Sequence, residues 1–287
     1  MMAAMTRRGF IGKGALAAGA AWCACGRPER AQANPLEMPV GVQTYIVRDT
    51  IGKDFAGALR QLAGMGFQSI EMCSPPGYGK SWEPLTKLTA AQMRETIRSA
   101  GLGCESCHYP FAELESHLDE RLAYAKELGL KQMIISGFWL QKGAPMADWL
   151  KAADACNRMG ERTLKAGLQL GFHNHHFEFE KIDGALIYDE LMKRFDPALV
   201  KMQFQVAVVN VGYKAVTYFK KYPGRFLSLH LADYSAEKKQ SVPVGQGVVD
   251  WKELFAEARA AGVKNYFVEM GLDLLKPSCD YLRGLKA

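Results

Sequence analysis

Five glycines recur at equivalent places along the chain, each between the end of a helix-like segment and the start of a short apolar run. They lie in Met65-Gly66-Phe67, Ala100-Gly101-Leu102, Leu128-Gly129-Leu130, Ala166-Gly167-Leu168 and Ala261-Gly262-Val263. Glycine is favoured there because it adopts the left-handed conformation that ends a helix and turns the chain sharply into a strand. The repetition predicts a series of strand–helix modules, and such alternation implies a parallel sheet covered by helices.

Eight strand-like runs follow one another between residues 40 and 269, separated by helix-patterned segments. An open, doubly wound sheet is the competing architecture, but it places a Gly-x-Gly-x-x-Gly phosphate loop after its first strand. No such loop follows Val40–Tyr45. With right-handed crossovers, eight modules close into a (β/α)8 TIM barrel of about 250 residues. We therefore predict one barrel domain over residues 34–287.

The first 33 residues have the layout of an export signal. Thr6–Lys13 contains a twin-arginine pair, Gly14–Trp22 is a weakly apolar run, and Ala31-Gln32-Ala33 offers small residues for cleavage. This order of charge, short apolar run and small residues predicts a twin-arginine signal over residues 1–33 and a periplasmic or secreted protein. An ordinary basic extension is the alternative, and lipid attachment at Cys23 or Cys25 stays open.

The basic balance of the chain comes mostly from this segment. The formal net charge is +6, of which residues 1–33 contribute +4, so the remainder carries about +2. A charge this small gives no support to nucleic-acid binding. The rest of the chain contains no apolar stretch long enough for a membrane span. The sequence leaves open whether the chain forms a homo-oligomer.

Acidic, amide and imidazole side chains stand at the ends of the predicted strands. Catalytic groups of a barrel come from the C-terminal ends of its strands and the loops after them. Four of the six histidines lie at such ends, and this repetition favours a functional cluster over isolated packing residues. The side chains at these ends are Glu71, His108, His173, His175, Gln205, His230, Asp233 and Glu269.

Such donors around one point suit a divalent ion, Mn²⁺, Mg²⁺, Co²⁺ or Zn²⁺. The ion would polarise a carbonyl and stabilise an enediolate while a Glu or His moves a proton from the adjacent carbon. A sugar fits this chemistry because its vicinal oxygens can chelate. Aromatic side chains near the strand ends are expected mainly to pack, but each could stack on a sugar face; they are Tyr45, Tyr109, Trp139, Phe177 and Tyr234.

Several segments carry a family resemblance. They are Val40–Asp49, Gly171–Phe179 with its His-Asn-His-x-x-Glu-Phe pattern, Ser228–Asp233, Val244–Trp251 with Gly-x-Gly-x-x-Asp-Trp, and Phe267–Glu269. Taken together they resemble the sugar phosphate isomerase/epimerase family, the xylose isomerase-like barrels, over nearly all of the chain after the signal. The resemblance implies a metal-dependent enzyme that transfers a proton on a sugar or keto-sugar.

The resemblance also implies roles for individual residues. The metal is expected at Glu178, or at His173 and His175, together with Gln205, His230 and Glu269. Glu178, Glu269 and His173 are the expected catalytic residues. Substrate binding is assigned to the remaining polar side chains, which are Glu71, His108, His175, Arg225 and Asp233.

Two departures from the family pattern bear on the reaction. Gln205 stands where relatives generally have Asp, which removes a negative ligand, and Ala232 stands where a Lys is common. Export makes a phosphorylated substrate a poor fit. We therefore expect an isomerase or epimerase of an unphosphorylated sugar, with a lyase or hydratase on 3-keto-glycosides and a non-catalytic sugar-binding barrel as alternatives. DNA-repair endonuclease relatives of this barrel are disfavoured by the near-neutral charge.

Overall fold

A computed structural model of the protein describes residues 34–286. The predicted export signal, with Cys23 and Cys25, falls on residues 1–33 and so lies outside the described residues.

Eight parallel strands form a closed barrel, as the glycine repeat predicts. Closure is direct, because Gly41 of the first strand is in register both with Ser69 of the second strand and with Phe267 of the last. The strands are β1 Gly41–Gln43, β2 Ser69–Cys73, β3 Gly103–Tyr109, β4 Gln132–Ile135, β5 Gln169–His173, β6 Val200–Gln205, β7 Phe226–Leu231 and β8 Asn265–Val268.

Helices follow the strands and cover the outside of the barrel. All five recurrent glycines have positive φ, between 79° and 100°, which confirms their predicted role as helix stops. The helices are α1 Arg48–Ile51, α2 Phe55–Gly64, α3 Ala90–Ser99, α4 Phe111–Leu128, α5 Met146–Lys165, α6 Ile187–Arg194, α7 Ala215–Lys221, α8 Trp251–Ala261 and α9 Leu272–Gly284. Within residues 34–286 no helix is long and apolar enough to cross a membrane.

The interior of the barrel departs from the usual apolar filling. Barrel interiors are usually dominated by branched apolar side chains. Here the buried apolar residues Val42, Ile70 and Leu229 alternate along their strands with inward-facing polar residues, so they point outward to the helices. A group of polar side chains is also fully or almost fully buried inside the strands: Gln43, Glu71, Ser106, His108, Gln203, Ser228 and His230. Buried polar groups require hydrogen-bond partners, so these side chains must satisfy one another.

Tight packing at the start of β1 gives a test of the barrel. A Cβ atom on Gly41 would lie 2.5 Å from both the Phe267 ring and the backbone oxygen of Tyr266. We expect Gly41→Ala to lower the free energy of unfolding by about 1–3 kcal/mol, the range of overpacked cores, measured by denaturant unfolding. Gly64→Ala is the control, since nothing lies within 4 Å of its added Cβ, and it should raise stability by up to about 1 kcal/mol. Equal effects of the two substitutions would contradict this packing.

Candidate active site

Glu71 on β2 is the centre of the buried polar layer. Its Oε1 accepts hydrogen bonds from Ser106 Oγ at 2.5 Å and Gln203 Nε2 at 2.8 Å. Its Oε2 accepts from Gln43 Nε2 at 2.7 Å and lies 2.6 Å from His230 Nε2. Glu71 is 0% exposed. Its carboxylate is therefore occupied inside the barrel, and its predicted role in substrate binding stays a prediction.

The charge of Glu71 depends on its histidine neighbours. Burial alone would raise the pKa of this carboxyl, because an ion loses its hydration in the interior. The charges of His108 and His230 and their hydrogen bonds outweigh burial, and they hold the pKa of Glu71 well below its ordinary value. The layer is thus built around an ionised carboxylate.

His230 lies between two carboxylates. Its Nε2 faces Glu71, and its Nδ1 lies 2.9 Å from Glu269 Oε2. Burial lowers the pKa of the imidazole, but Glu269 and Glu71 raise it to about 9. In the same way burial raises the pKa of Glu269, while His230 brings it down to about 2. Gln205 Nε2 donates to the same Glu269 oxygen at 2.7 Å, so the structure brings Gln205, His230 and Glu269 together as predicted.

Three imidazole rings meet beside this pair. The rings of His108 and His230 are stacked at 4.9 Å, and His173 lies 4.4 Å from His230 and 5.0 Å from His108. One ring nitrogen of each lies within 4.8 Å of the others, so the three could hold a metal ion. Burial keeps the pKa of His173 well below its usual value. Its Nδ1 has no hydrogen-bond partner among residues 34–286, and a buried, neutral, unpartnered imidazole suits metal binding.

The ligand atoms of His108, His173 and His230 are close enough together to hold a divalent ion. A second, overlapping set comes from the family resemblance, which implies Glu178, or His173 and His175, with Gln205, His230 and Glu269; its members considered below are His173, Gln205, His230 and Glu269. The hydrogen bonds favour the second set. Nε2 of His108 lies 2.6 Å from Gln203 Oε1 and 3.1 Å from Glu71, and Nε2 of His230 is also taken by Glu71.

A cavity of about 530 Å³ opens above these residues at the C-terminal ends of the strands. Four predicted site residues line it: His108, His173, His175 and Glu269. Burial lowers the pKa of His175 to about 4, and Nδ1 of this ring is also without a hydrogen-bond partner in the described part of the chain. The cavity thus combines the ionised carboxylate of Glu269 with the neutral imidazoles of His173 and His175.

Glu178 lies behind the cavity wall instead of on it. It is 0% exposed, and its Oε2 accepts a hydrogen bond from the His175 backbone N–H at 2.7 Å. Burial raises the pKa of this carboxyl to about 8. Glu178 is not among the residues that line the cavity, and its predicted catalytic and metal-binding roles stay predictions. It holds the backbone that presents His175.

The sequence also predicts substrate binding by Arg225 and Asp233, but neither is among the residues that line the cavity. Arg225 precedes β7 and therefore lies at the end of the barrel opposite the cavity, where its guanidinium donates to the backbone oxygens of Met192 and Phe195. Asp233 is 1% exposed. Its carboxylate accepts hydrogen bonds from the backbone N–H groups of the loop after β7 and from a tryptophan Nε1; the donors are Tyr234, Gly245, Gly247, Val249 and Trp251. Asp233 anchors that loop.

Gln43, Ser106 and Gln203 are site residues that the sequence analysis missed. Alternation on a strand gives the signal that could have found Gln203, because residues two apart point to the same face. Gln203 therefore shares the inward face of β6 with Gln205, one layer deeper. Neither Gln43 nor Ser106 stands out in the sequence by residue type.

Comparison with known proteins places the chain in a family. An inosose dehydratase from Clostridium perfringens is 25% identical over 209 residues, which are 67% of this chain and 68% of that protein. The structure of a sugar phosphate isomerase/epimerase from Parabacteroides distasonis superposes with a TM-score of 0.70 at 24% identity, covering 85% of this chain and 93% of the other. A xylose isomerase-like TIM barrel protein from Mycobacterium smegmatis in complex with magnesium superposes with a TM-score of 0.62 at 15% identity, covering 87% of this chain and 97% of the other.

The model of the xylose isomerase-like TIM barrel family matches residues 59–282, from α2 into α9. This range includes seven of the eight barrel strands and the side chains that line the cavity from β3 onward. The chain belongs to the xylose isomerase-like TIM barrels, the family that its own sequence patterns predict.

Proposed function

We propose that this protein is an exported, metal-dependent lyase that removes a proton next to the carbonyl of an unphosphorylated keto-sugar or keto-cyclitol and eliminates the neighbouring oxygen substituent. One observation carries the proposal: among the described residues that line the cavity, Glu269 is the only carboxylate, and the rings of His108, His173 and His175 line the same cavity. The name of the Clostridium relative, inosose dehydratase, also supports elimination from a ketone.

The metal would be held by His173, Gln205, His230 and Glu269. When bound, a divalent ion polarises the substrate carbonyl and so makes the adjacent C–H more acidic. Two imidazoles and the neutral amide of Gln205 leave Glu269 as the one charged ligand of this set. This set of two imidazole nitrogens and two oxygens suits Zn²⁺, Co²⁺ or Mn²⁺ better than Mg²⁺, which prefers oxygen ligands alone.

Glu269 is suited to move the proton. Both hydrogen bonds that it accepts from Gln205 and His230 end on Oε2. Its side chain is 22% exposed, which leaves Oε1 for the cavity. A pKa of about 2 keeps Glu269 ionised at neutral pH. Such a carboxylate is a weak base, so its Oε1 can accept the proton only from a carbon that the neighbouring carbonyl makes acidic. The same oxygen can pass the proton to the departing oxygen on the same face, as the C–H and C–O bonds break and the C=C bond forms.

An epimerase or isomerase is the second candidate. Inversion at carbon requires acid–base groups on both faces of the substrate. The cavity offers no second carboxylate from the described residues, because Glu178 is buried behind the wall. His175 could serve on the opposite face, since its unpartnered Nδ1 belongs to a ring that lines the cavity. A non-catalytic sugar-binding barrel is the third candidate.

Solvent exchange tests the proton step. In D₂O with a divalent metal and a 3-keto-glucoside or an inosose, we expect deuterium uptake at the carbon next to the ketone and release of the eliminated group. NMR spectroscopy monitors both changes. Glu269→Gln should slow both by at least about 100-fold, the usual contribution of general acid–base catalysis. Glu127→Gln, on the exposed face of α4, is the control with the same change of charge. Exchange without release would indicate epimerisation, and undiminished exchange in Glu269→Gln would remove this residue from the proton step.

Metal analysis decides between the two ligand sets. We expect His173→Ala to weaken divalent-metal affinity by at least about 100-fold, because a direct ligand contributes more than the outer partners, whose loss costs about 10–100-fold. His108→Ala should keep metal bound, since His108 Nε2 is engaged by Gln203. Metal content of purified protein and titration with Zn²⁺ and Mn²⁺ give the readout. Loss of metal in His108→Ala would show that the three-histidine set is the site.

Gln205→Asp restores a negative charge beside the metal site. We expect about 10-fold tighter binding of Mn²⁺, because a carboxylate is a stronger ligand than an amide for such an ion. Gln141→Asp adds the same charge at an exposed position of the loop after β4 and should leave the affinity unchanged. Unaltered affinity in Gln205→Asp would exclude Gln205 from the ligand set.

A further inference from the structure

The cavity has a second half that the proposed chemistry does not use. His173, His175 and Glu269 line the side formed by β5 and β8, whereas residues of the loops after β1 to β4 line the other side. A volume of about 530 Å³ is in the range of pockets that hold drug-sized ligands, about 300–1,000 Å³. A single sugar ring at the carboxylate would leave the other half of this cavity empty.

Two exposed aromatic side chains stand in that second half. Six large hydrophobic side chains of the described residues are exposed, and both aromatic ones, Tyr45 at 41% and Trp139 at 61%, line this cavity. Large aromatic side chains normally bury most of their surface. Tyr45 follows β1 and Trp139 follows β4, three strands away around the barrel, so the two rings approach the cavity from different sides.

The backbone at Trp139 is held in a conformation that its side chain disfavours. Trp139 has φ of 54°, and a bulky residue in the left-handed region is strained. The loop is shaped around the indole: Gly137 has φ of 119°, and a Cβ on it would lie 3.3 Å from the His175 ring and 3.4 Å from the Trp139 Nε1. The indole contacts the rings of His175 at 4.7 Å and Phe177 at 5.5 Å, while most of its surface stays exposed.

Tyr45 is also supported from one side. Its ring lies 5.9 Å from the Tyr78 ring, in an edge-to-face contact, and the Arg48 guanidinium lies 4.7 Å from its centroid. Such aromatic and cation–π contacts orient a ring without burying it. Tyr45 therefore presents a fixed aromatic surface to the cavity.

The lining of this half has no charged side chain, and its polar side-chain groups are the hydroxyls of Tyr45, Tyr78 and Ser136 and the indole N–H of Trp139. Besides the two aromatic rings it consists of Gly77, Tyr78, Gly79, Pro110 and Ser136, none of which is charged. The Ser136 hydroxyl donates to the backbone oxygen of Tyr109. A second sugar ring would lose water from several hydroxyls and find few partners here, and such losses are unfavourable. A planar apolar ring loses nothing comparable and gains stacking surface.

We infer that Tyr45 and Trp139 form an outer subsite for a planar, apolar aglycone, so that the substrate is an aryl glycoside whose sugar ring lies at Glu269. This inference deepens the proposed function. It rests on that function only in placing the reacting sugar ring at Glu269. Trp139 and Tyr45 are then binding residues that select the substrate by what its sugar carries.

Binding of unreactive glycosides tests the subsite without any chemistry. Phenyl β-D-glucopyranoside, methyl β-D-glucopyranoside and cellobiose are titrated by calorimetry into the full-length protein loaded with Mn²⁺. The wild type should bind the phenyl glycoside about 10-fold more tightly than the methyl glycoside, from added apolar burial and stacking. Cellobiose should gain nothing over the methyl glycoside. Equal affinities for phenyl and methyl glycosides, no binding of the phenyl glycoside, or tighter binding of cellobiose would each overturn the inference.

Variants separate this subsite from the fold. Trp139→Gly should weaken binding of the phenyl glycoside by about 3- to 10-fold, the fold-change that corresponds to an aromatic pair, and leave the methyl glycoside unaffected. Its melting temperature should not fall, since glycine relieves the strained φ. Trp139→Phe should keep most of the preference, and Leu164→Ala, an exposed apolar residue on α5, should keep all of it. A lower melting temperature in Trp139→Gly, or equal weakening of both glycosides, would assign Trp139 a structural role instead.

The outcome is distinguishable from failure of the proposed function. A phenyl preference that depends on Trp139, in a protein that shows no deuterium exchange into keto-sugars, would support the subsite and reject the lyase. Exchange into keto-sugars by a protein without any phenyl preference would support the proton chemistry and reject the subsite.

Discussion

The carboxylate of Glu71, buried in the middle of the barrel, is the group on which the arrangement of the site depends. An ionised carboxylate in a protein interior costs several kcal/mol unless hydrogen bonds and opposite charge compensate it. Four partners do so here, Gln43, Ser106, Gln203 and His230, and each comes from a different strand. Because one group binds four strands, the relative positions of their C-terminal ends are fixed by the same hydrogen bonds that keep Glu71 charged.

The pairing of Glu71 with His230 also determines which atoms face the cavity. Because Nε2 of His230 is hydrogen-bonded to Glu71, Nδ1 is directed toward Glu269, which also accepts a hydrogen bond from Gln205. Carboxylates that bond the far nitrogen of a metal-binding histidine commonly fix its orientation in this way. In the proposed metal site, the buried ion pair would serve to orient His230 as a ligand, since buried pairs contribute little net stability on their own.

The sequence was sufficient to predict the barrel and part of the site, for a geometric reason. Glycine stops are local signals, and parallel strands all end at the same face, so strand-end residues such as His108, His173 and Glu269 had to converge. The failures share a different cause. Proximity to a strand does not specify the end of the barrel or the depth at which a side chain lies. For this reason Arg225, at the opposite end, and Glu71, deep inside, were expected at the cavity but do not line it. Asp233 bonds backbone groups 12 to 16 residues away, which local patterns do not reveal.

The two halves of the cavity differ in how they are built, and this difference matches their proposed tasks. The half with Glu269 and the histidines rests on strand ends tied together by the buried layer, which gives the rigidity that proton transfer requires. The half with Tyr45 and Trp139 belongs to loops after β1 and β4, where residues can change without disturbing that layer. A barrel organised in this way can keep one reaction while its loops adapt to what the sugar carries. The strained backbone of Trp139 fits such an adaptation, because a conformation that costs free energy persists only where the surrounding loop holds it or a ligand makes use of it.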